Sequence, residues 1–345
     1  MTATLQVLDP GILTLVVDRG RPGLAANGVG PSGPADRAAF ALGARLLAQD
    51  TDSAGLECLL GRLAVRTTRP IQVALTGALT PADVDGVPVG FGEVLSLPAG
   101  AVLRLGAPAT GLRTYVSIGG GLAVRPVLGS RCTDTLSGIG PEPLRAGDEL
   151  LVGATDLSAA RRRADSTTPT GDTGPERGVR ASDVETPDPG DAGSPGSAPG
   201  VRAVTPRPSA ATWSTTRVWV PPTPAGAIVL DALPGPRLDW LADPRALVAT
   251  AWTVSPRSDR VGLRLAGAPL RRAADRAGTE LPSEGLVRGA VQVPPGGEPI
   301  IFGADHPVTG GYPVVAVLTE RSSDTAAQLR PGQPVSLNLV APYTH

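Results

Sequence analysis

One short stretch near the C-terminus concentrates the reactive side chains of this chain. Asp305-His306-Pro307-Val308-Thr309-Gly310-Gly311-Tyr312-Pro313 sets a carboxylate, an imidazole, a hydroxyl, two glycines and a phenol between two apolar runs, as a rigid scaffold presents a functional loop. A purely structural turn fits the same residues. Ser258-Asp259-Arg260 and His306, the sole internal histidine, hold the residue types of a Ser-His-Asp nucleophilic site. No nucleophile elbow surrounds Ser258, so the plainer expectation is a turn whose arginine pairs with Glu284 or Asp305. Asp259, Glu284 and Asp305 lie on separate segments, and only the fold can pair them for acid–base work.

A second tempting motif is Gly28-Val29-Gly30-Pro31-Ser32-Gly33, which matches G-x-G-x-x-G ahead of a helical pattern. Its context argues against a dinucleotide site: the preceding apolar run ends near Val17, Pro31 lacks the amide a phosphate needs, and no βαβ alternation follows. What remains is a glycine-rich loop before a helix N-terminus. It can offer backbone N–H groups to an anion or make a tight turn with positive φ.

Absences narrow the chemistry further. All 31 basic residues are arginine, which excludes a lysine Schiff base, a pyridoxal-phosphate site and a P-loop lysine. With two histidines, His306 and His345, and two cysteines, Cys58 and Cys132, a zinc site would need every candidate ligand to converge, and no metal is expected. Two lone cysteines fit a reducing compartment. Met1 to Pro10 carries no signal-peptide pattern and no run approaches a membrane span, so a soluble, cytoplasmic protein is expected. A net charge of -1 points to neither nucleic acid nor membrane as partner.

The elements that must hold these residues are mostly strands. The chain has 345 residues, 41% hydrophobic but only 3% aromatic, with Gly 44 and Pro 37, so an aliphatic core with many turns is expected. From about 156 to 216 large apolar residues nearly vanish, and such a segment cannot bury enough surface to offset its ordering entropy. This insertion, with Arg161-Arg162-Arg163 at its edge as a solvated charge cluster, divides an N-terminal β-rich lobe (1–155) from a C-terminal lobe (217–345). Short apolar runs bounded by turn residues predict strands at Thr14–Val17, Leu63–Arg66, Ile71–Leu75, Val94–Leu97, Val102–Leu105, Thr114–Ile118 and Leu150–Val152. After the insertion they predict Val218–Val220, Ala227–Leu230, Val261–Leu265, Val287–Val293, Ile300–Phe302, Val314–Leu318 and Val335–Leu339. Helices are few: Ala35–Ala48, with Pro34 at its start and Ser32 or Gly33 as cap, and a short one after Asp243-Pro244.

Taken in order, these segments resemble a known family. Asp18-Arg19-Gly20-Arg21-Pro22-Gly23, the Gly28–Gly33 loop, Leu56-Glu57, Thr76-Gly77-Ala78 and Gly111-Leu112-Arg113-Thr114-Tyr115 follow the pattern of the biotin-dependent carboxyltransferase-like family. That family includes allophanate hydrolase subunit 2, KipA and the C-subunit of bacterial 5-oxoprolinase. The likeness continues through Gly119-Gly120-Gly121, Gly129-Ser130-Arg131 and Ala146-Gly147-Asp148, then Pro234-Gly235-Pro236, Ser258 to Leu265, Leu281 to Gly285, Gly289 to Pro294 and Asp305 to Pro313. It covers the chain outside the insertion, with departures at Val17, Pro34-Ala35-Asp36, Cys132 and Val308.

The resemblance implies a mainly β fold with a few helices, of cyclophilin-like β-barrel architecture in two lobes, the C-terminal lobe being such a barrel. It also implies work inside a complex, with the A-subunit of 5-oxoprolinase and a KipI-like B-subunit, in ATP-dependent opening of 5-oxoproline to L-glutamate. ATP belongs to that complex as a whole. Two alternatives come with the family: biotin-dependent carboxyl transfer to urea or a similar small amide, and a non-enzymatic KipA-like regulatory role beside a KipI-like protein. Without lysine, this chain has no residue to carry biotin.

In each enzymatic case the substrate is a small amide or lactam whose carbonyl oxygen gains charge, which arginine and backbone N–H groups can stabilise. The catalytic candidates that follow are Arg260, Glu284, Asp305 and His306: Arg260 binds a carboxylate or a phosphorylated oxygen, Glu284 and Asp305 act as acid, base or ammonium ligand, and His306 carries protons. Arg131 is a second anion-binding candidate. Gln292, Thr309 and Tyr312 would orient substrate by hydrogen bonds, and Arg19, Arg21 and Ser32 would complete an N-terminal anion-binding loop.

Overall fold

A computed structural model of the chain describes residues 2–154 and 228–341. The expected insertion at 156–216, the strand at Val218–Val220 and His345 lie outside the described residues.

The N-terminal half is built from two antiparallel sheets. One runs β11 (Glu149–Leu151), β1 (Thr4–Asp9), β4 (Ala64–Thr67), β9 (Val102–Leu105), β6 (Ala82–Val84) and β7 (Val87–Pro88). The other runs β2 (Leu13–Val17), β3 (Gly55–Leu59), β10 (Arg113–Ile118), β5 (Ile71–Gly77) and β8 (Val94–Leu97). Alternation decides which face is buried: in β9, Arg104 is exposed while Leu103 and Leu105 join Val7 and Val65 in the core. The second sheet adds Leu56, Leu75, Val116 and Ile118 to the same core. β10, central in its sheet, is buried along its whole length. The β6–β7 hairpin closes through Asp85-Gly86, both at positive φ (51° and 82°), the two-residue turn whose twist matches paired strands.

The C-terminal half closes into a seven-stranded barrel in the order β12 (Ile228–Pro234), β19 (Val314–Leu318), β16 (Ala290–Gln292), β17 (Ile300–Phe302), β14 (Gly262–Ala266), β13 (Trp252–Val254) and β20 (Pro334–Leu339). β12 and β20 seal it in parallel, Ile228 opposite Val335. A two-stranded ribbon, β15 (Glu284–Gly285) with β18 (Thr309–Gly310), lies outside the barrel order. The expectation of a mainly β protein holds, but the closed barrel belongs to the C-terminal half and the N-terminal half is two sheets.

Helix α1 (Arg37–Leu46) matches the expected helix with a different cap. Asp36, and neither Ser32 nor Gly33, is the N-cap, its Oδ1 accepting from Ala39 N–H at 2.9 Å. Phe40, Gly43 and Ala44 form its buried face, and Phe40 meets Tyr115 edge-on at 6.0 Å. Helix α2 (Ala246–Ala249) follows Asp243-Pro244, and α3 (Glu320–Ala326), capped by the Thr319 hydroxyl, has no counterpart among the expected elements. Among the described residues, no helix is long and apolar enough to cross a membrane.

Candidate functional site

Arg260 enters the boundary between the halves from the turn before β14. The turn consumes its neighbours: Ser258 Oγ donates to Ser255 O at 2.8 Å, and Asp259 Oδ1 accepts from Val261 and Gly262 N–H at 2.9 and 3.0 Å. These two residues build a turn and form no nucleophilic set. The guanidinium grips Asp305 in a fork, Nε to Oδ2 at 2.8 Å and Nη2 to Oδ1 at 3.1 Å, while Nη1 donates to Glu57 Oε1 and Nη2 also to Gly33 O at 2.7 Å. Arg260 therefore pairs with Asp305, as one of the two expected acids, and with Glu57, but not with Glu284.

Both carboxylates are saturated from the N-terminal half. Asp305 accepts from Ser32 Oγ at 2.6 Å and from Thr135 N–H and Oγ1 at 2.9 and 2.7 Å. Ser32 reaches it from the left-handed backbone region (φ 51°), an uncommon conformation for a non-glycine residue. Glu57 accepts from Ala35 N–H and Tyr115 OH, both at 2.9 Å, and faces Arg113 Nε at 3.3 Å. Register places it there, since Tyr115 and Glu57 are direct partners on β10 and β3. Burial pushes both carboxyls up, but Arg260 beside them, helped at Glu57 by Arg113, outweighs it and holds both below their ordinary range. Burial disfavours the Arg260 charge, yet Glu57 and Asp305 keep it well above its ordinary pKa.

Further contacts that sequence reading missed extend this seam. Gln328, after α3, donates through Nε2 to Asp36 Oδ2 at 2.8 Å and to Arg113 O at 3.1 Å, and its Oε1 accepts from Leu112 and Arg113 N–H. Arg288 Nη2 donates to Asp324 Oδ1 at 2.6 Å and to Ala35 O at 2.7 Å. Burial raises the Asp36 carboxyl to about 6. Glu57, Arg113 and Tyr115 stood in recognisable motifs; nothing in the local sequence signals Gln328 or Asp324. A cavity of about 460 Å³ opens on the seam, with Glu57, Arg113, Arg260 and Arg288 among leucine-rich walls.

The N-terminal anion loop does not form. Arg19 pairs with Asp52 at the surface, Ser32 is committed to Asp305, and buried Arg21 donates to Cys132 O. The loop's amides turn inward: Gly28 and Val29 N–H go to Ala25 O and Leu24 O, and Gly33 N–H to Cys132 Sγ. With Pro31 lacking an N–H, this loop does not fit the phosphates of ATP. Arg131 is half-buried, its backbone N–H bonded to Asp18 Oδ2 at 2.6 Å and its Nε buried without a partner. His306 is buried at the seam with Nδ1 2.8 Å from Pro307 O, so Nδ1 carries the proton, and burial lowers the pKa of the ring.

Glu284, Gln292, Thr309 and Tyr312 gather elsewhere, on the flank of the barrel. Glu284 lies opposite Gly310 in the β15–β18 ribbon and is forked by Arg237, whose hydrogen bonds keep its carboxyl below the ordinary range. Gln292, buried on β16, donates to Tyr312 O at 2.9 Å and fixes the Gly310-Gly311-Tyr312 turn from beneath. A side chain at Gly310 would strike that amide, its Cβ falling 2.8 Å from Gln292 Nε2. Tyr312 is 43% exposed and borders a cleft of about 850 Å³ shared with Arg271, Arg272, Thr279 and Glu280. The sequence candidates thus divide between a saturated seam and an open cleft.

Comparison with known proteins gives a consistent picture. The family described as carboxyltransferase domain, subdomain A and B, matches residues 27–339. The 5-oxoprolinase C-subunit of Escherichia coli is 32% identical over 96% of this chain and 89% of its own length. The urea amidolyase of Lachancea kluyveri is 29% identical over 45% of this chain but only 9% of its own length. Among solved structures, TTHA0988 superposes with a TM-score of 0.72 at 30% identity, covering 98% of this chain, which spans 55% of that one. The Kluyveromyces lactis urea amidolyase shares the fold, with a TM-score of 0.75 at 23% identity over 99% of this chain and 19% of its own.

Proposed function

Because this chain belongs to the carboxyltransferase domain family, subdomains A and B, we propose that it serves as one subunit of a multi-subunit 5-oxoprolinase, opening 5-oxoproline to L-glutamate with ATP. The observation that carries this reading is length. The likeness to a 5-oxoprolinase C-subunit runs through nearly the whole of both chains, whereas that to urea amidolyases engages a small part of much larger proteins. In the reaction the lactam C–N bond breaks, the carbonyl carbon takes a hydroxyl from water and the ring nitrogen takes the proton. ATP, taking up a second water, yields ADP and phosphate at the level of the complex, on the A-subunit or the KipI-like B-subunit, because the glycine-rich loop here is closed on itself.

The cleft beside Tyr312 supports the reading better than the seam does. Arg260 directs four of its five N–H donors to protein acceptors and positions the two halves, while Tyr312 offers a free phenol at the cleft edge. Gln292 holds the turn that presents it, and Thr309 and Glu284 stand on the adjoining ribbon. The Tyr312 hydroxyl orients a small planar amide and offers a donor to its carbonyl oxygen as charge develops there.

The test is co-expression with the two partner proteins, the A- and B-subunits, followed by an assay of glutamate release from 5-oxoproline with and without ATP. ATP-dependent glutamate, lowered about tenfold in kcat/KM by Tyr312→Phe as for one lost hydrogen bond to the reacting group, supports the proposal. A stable complex without turnover overturns it. Carboxyl transfer from a biotin carrier on another chain, which the shared fold with urea amidolyase favours, is then the next reaction to assay.

A further inference from the structure

Two arginines in the Tyr312 cleft have no role so far. Arg271 is exposed, lines the cleft and makes no side-chain hydrogen bond or ion pair within the described residues. Arg272, next to it, is held rigidly: its guanidinium stacks 5.7 Å from the centre of the buried Trp240 ring and Nη1 donates to Thr279 O at 3.1 Å. Its Nε–H is buried with no partner among the described residues, so the charge of Arg272 is not offset there by an acceptor at Nε. Arg276, on the same ring at 5.6 Å, is already offset by Asp239 and Asp275 at 3.9 and 3.5 Å. Against the two unoffset arginines the cleft sets one acid, Glu280, with Leu270, Leu281 and Pro295 as apolar walls.

We propose that Arg271 and Arg272 form a carboxylate-binding subsite that recognises a small lactam acid by its carboxylate. Substrate identity rests on the function proposed above; the anion preference rests on the cleft alone. The stacked guanidinium is preorganised and the exposed one can complete a two-armed grip. The apolar walls accommodate a five-membered ring, and Glu280 supplies an acceptor for its N–H. The arginines singled out from sequence, Arg260 and Arg131, do not occupy this cleft.

The experiment is calorimetric titration of the chain and of its complex with 5-oxoproline and with 2-pyrrolidinone, the same lactam without the carboxylate. The expected result is at least about tenfold tighter binding of 5-oxoproline, the size of one charge-assisted hydrogen bond, most of it lost in Arg271→Gln. Arg272→Lys, which keeps the charge but not the stacked planar guanidinium, should fall between. In turnover, Arg271→Gln should raise KM for 5-oxoproline about tenfold with kcat within about twofold. Equal binding of the two lactams, or an unchanged KM in an active Arg271→Gln complex, overturns the subsite while leaving the reaction standing, and no binding of 5-oxoproline to the complex overturns both. A complex without turnover that still binds 5-oxoproline through Arg271 overturns the reaction and supports the subsite.

Discussion

The seam and the cleft each centre on arginine, yet they are opposites in how that charge is satisfied. At the seam, Arg260 is buried to 4% side-chain exposure against two carboxylates and a backbone carbonyl, all within one closed network. In the cleft, Arg271 and Arg272 meet no carboxylate among the described residues, one being exposed and the other keeping a buried N–H unpaired there. A buried charge network paired this closely fixes geometry, because any change in it leaves charge stranded. Unsatisfied donors beside open volume are what a ligand can use. Residue type alone would have ranked Arg260 first, and the hydrogen-bond accounting reverses that order.

The sharpest way to break the comparison is Arg260→Met. It strands Asp305 as a buried charge, leaves Glu57 with Arg113 alone and should cost about 3–5 kcal/mol in urea unfolding. A loss below about 1 kcal/mol, the size of an exposed pair, would mean that the seam is not a structural clamp.

Titration gives the next effect, with two signs. Glu57 and Asp305 have depressed folded-state pKa values, so their stabilisation is present above the ordinary carboxylate range and is lost as pH falls through it. Asp36 runs the other way. Its pKa is raised by burial from 3.8 to about 6, so stability should decline by about 3 kcal/mol as pH rises between those values. Urea midpoints across that pH range would show this limb, and Asp36→Asn should flatten it whatever its effect on stability at a single pH.

Gln328→Leu removes the acceptor for Leu112 and Arg113 N–H and the donor to Asp36, with an expected loss of about 2 kcal/mol. At the small end, Glu284→Gln should shift the urea midpoint little, by no more than an exposed pair contributes, since its pair with Arg237 is only half-buried. Arg271→Gln should leave stability unchanged, and a measurable loss would place Arg271 with the seam residues.

Much of the fold was legible because it is local. Every expected strand within the described residues is present, since period-two alternation such as Val335-Ser336-Leu337-Asn338-Leu339 reports directly on one buried face. The helix at Arg37–Leu46 was equally legible, but not its cap, because Ser32 and Asp36 are both good capping residues and packing gave Ser32 to Asp305. β1 and β3 escaped notice: β1 mixes polar with apolar residues, and the run Gly55-Leu56-Glu57-Cys58-Leu59 places a glutamate on a buried strand.

The sequence by itself determined the aliphatic, strand-dominated core, the concentration of reactive groups at 305–313, and, through its lack of lysine, that biotin or a Schiff base cannot be carried on this chain. Only the tertiary structure decided what each group does. Arg260 meets Asp305 across 45 residues and Glu57 across 203, and Ser32 meets Asp305 across 273. Pairings at such separations leave no local pattern to read: the closing of sheets and barrel selects them, and that closure committed Arg260 to two carboxylates and a carbonyl and left Arg271 without a partner among the described residues.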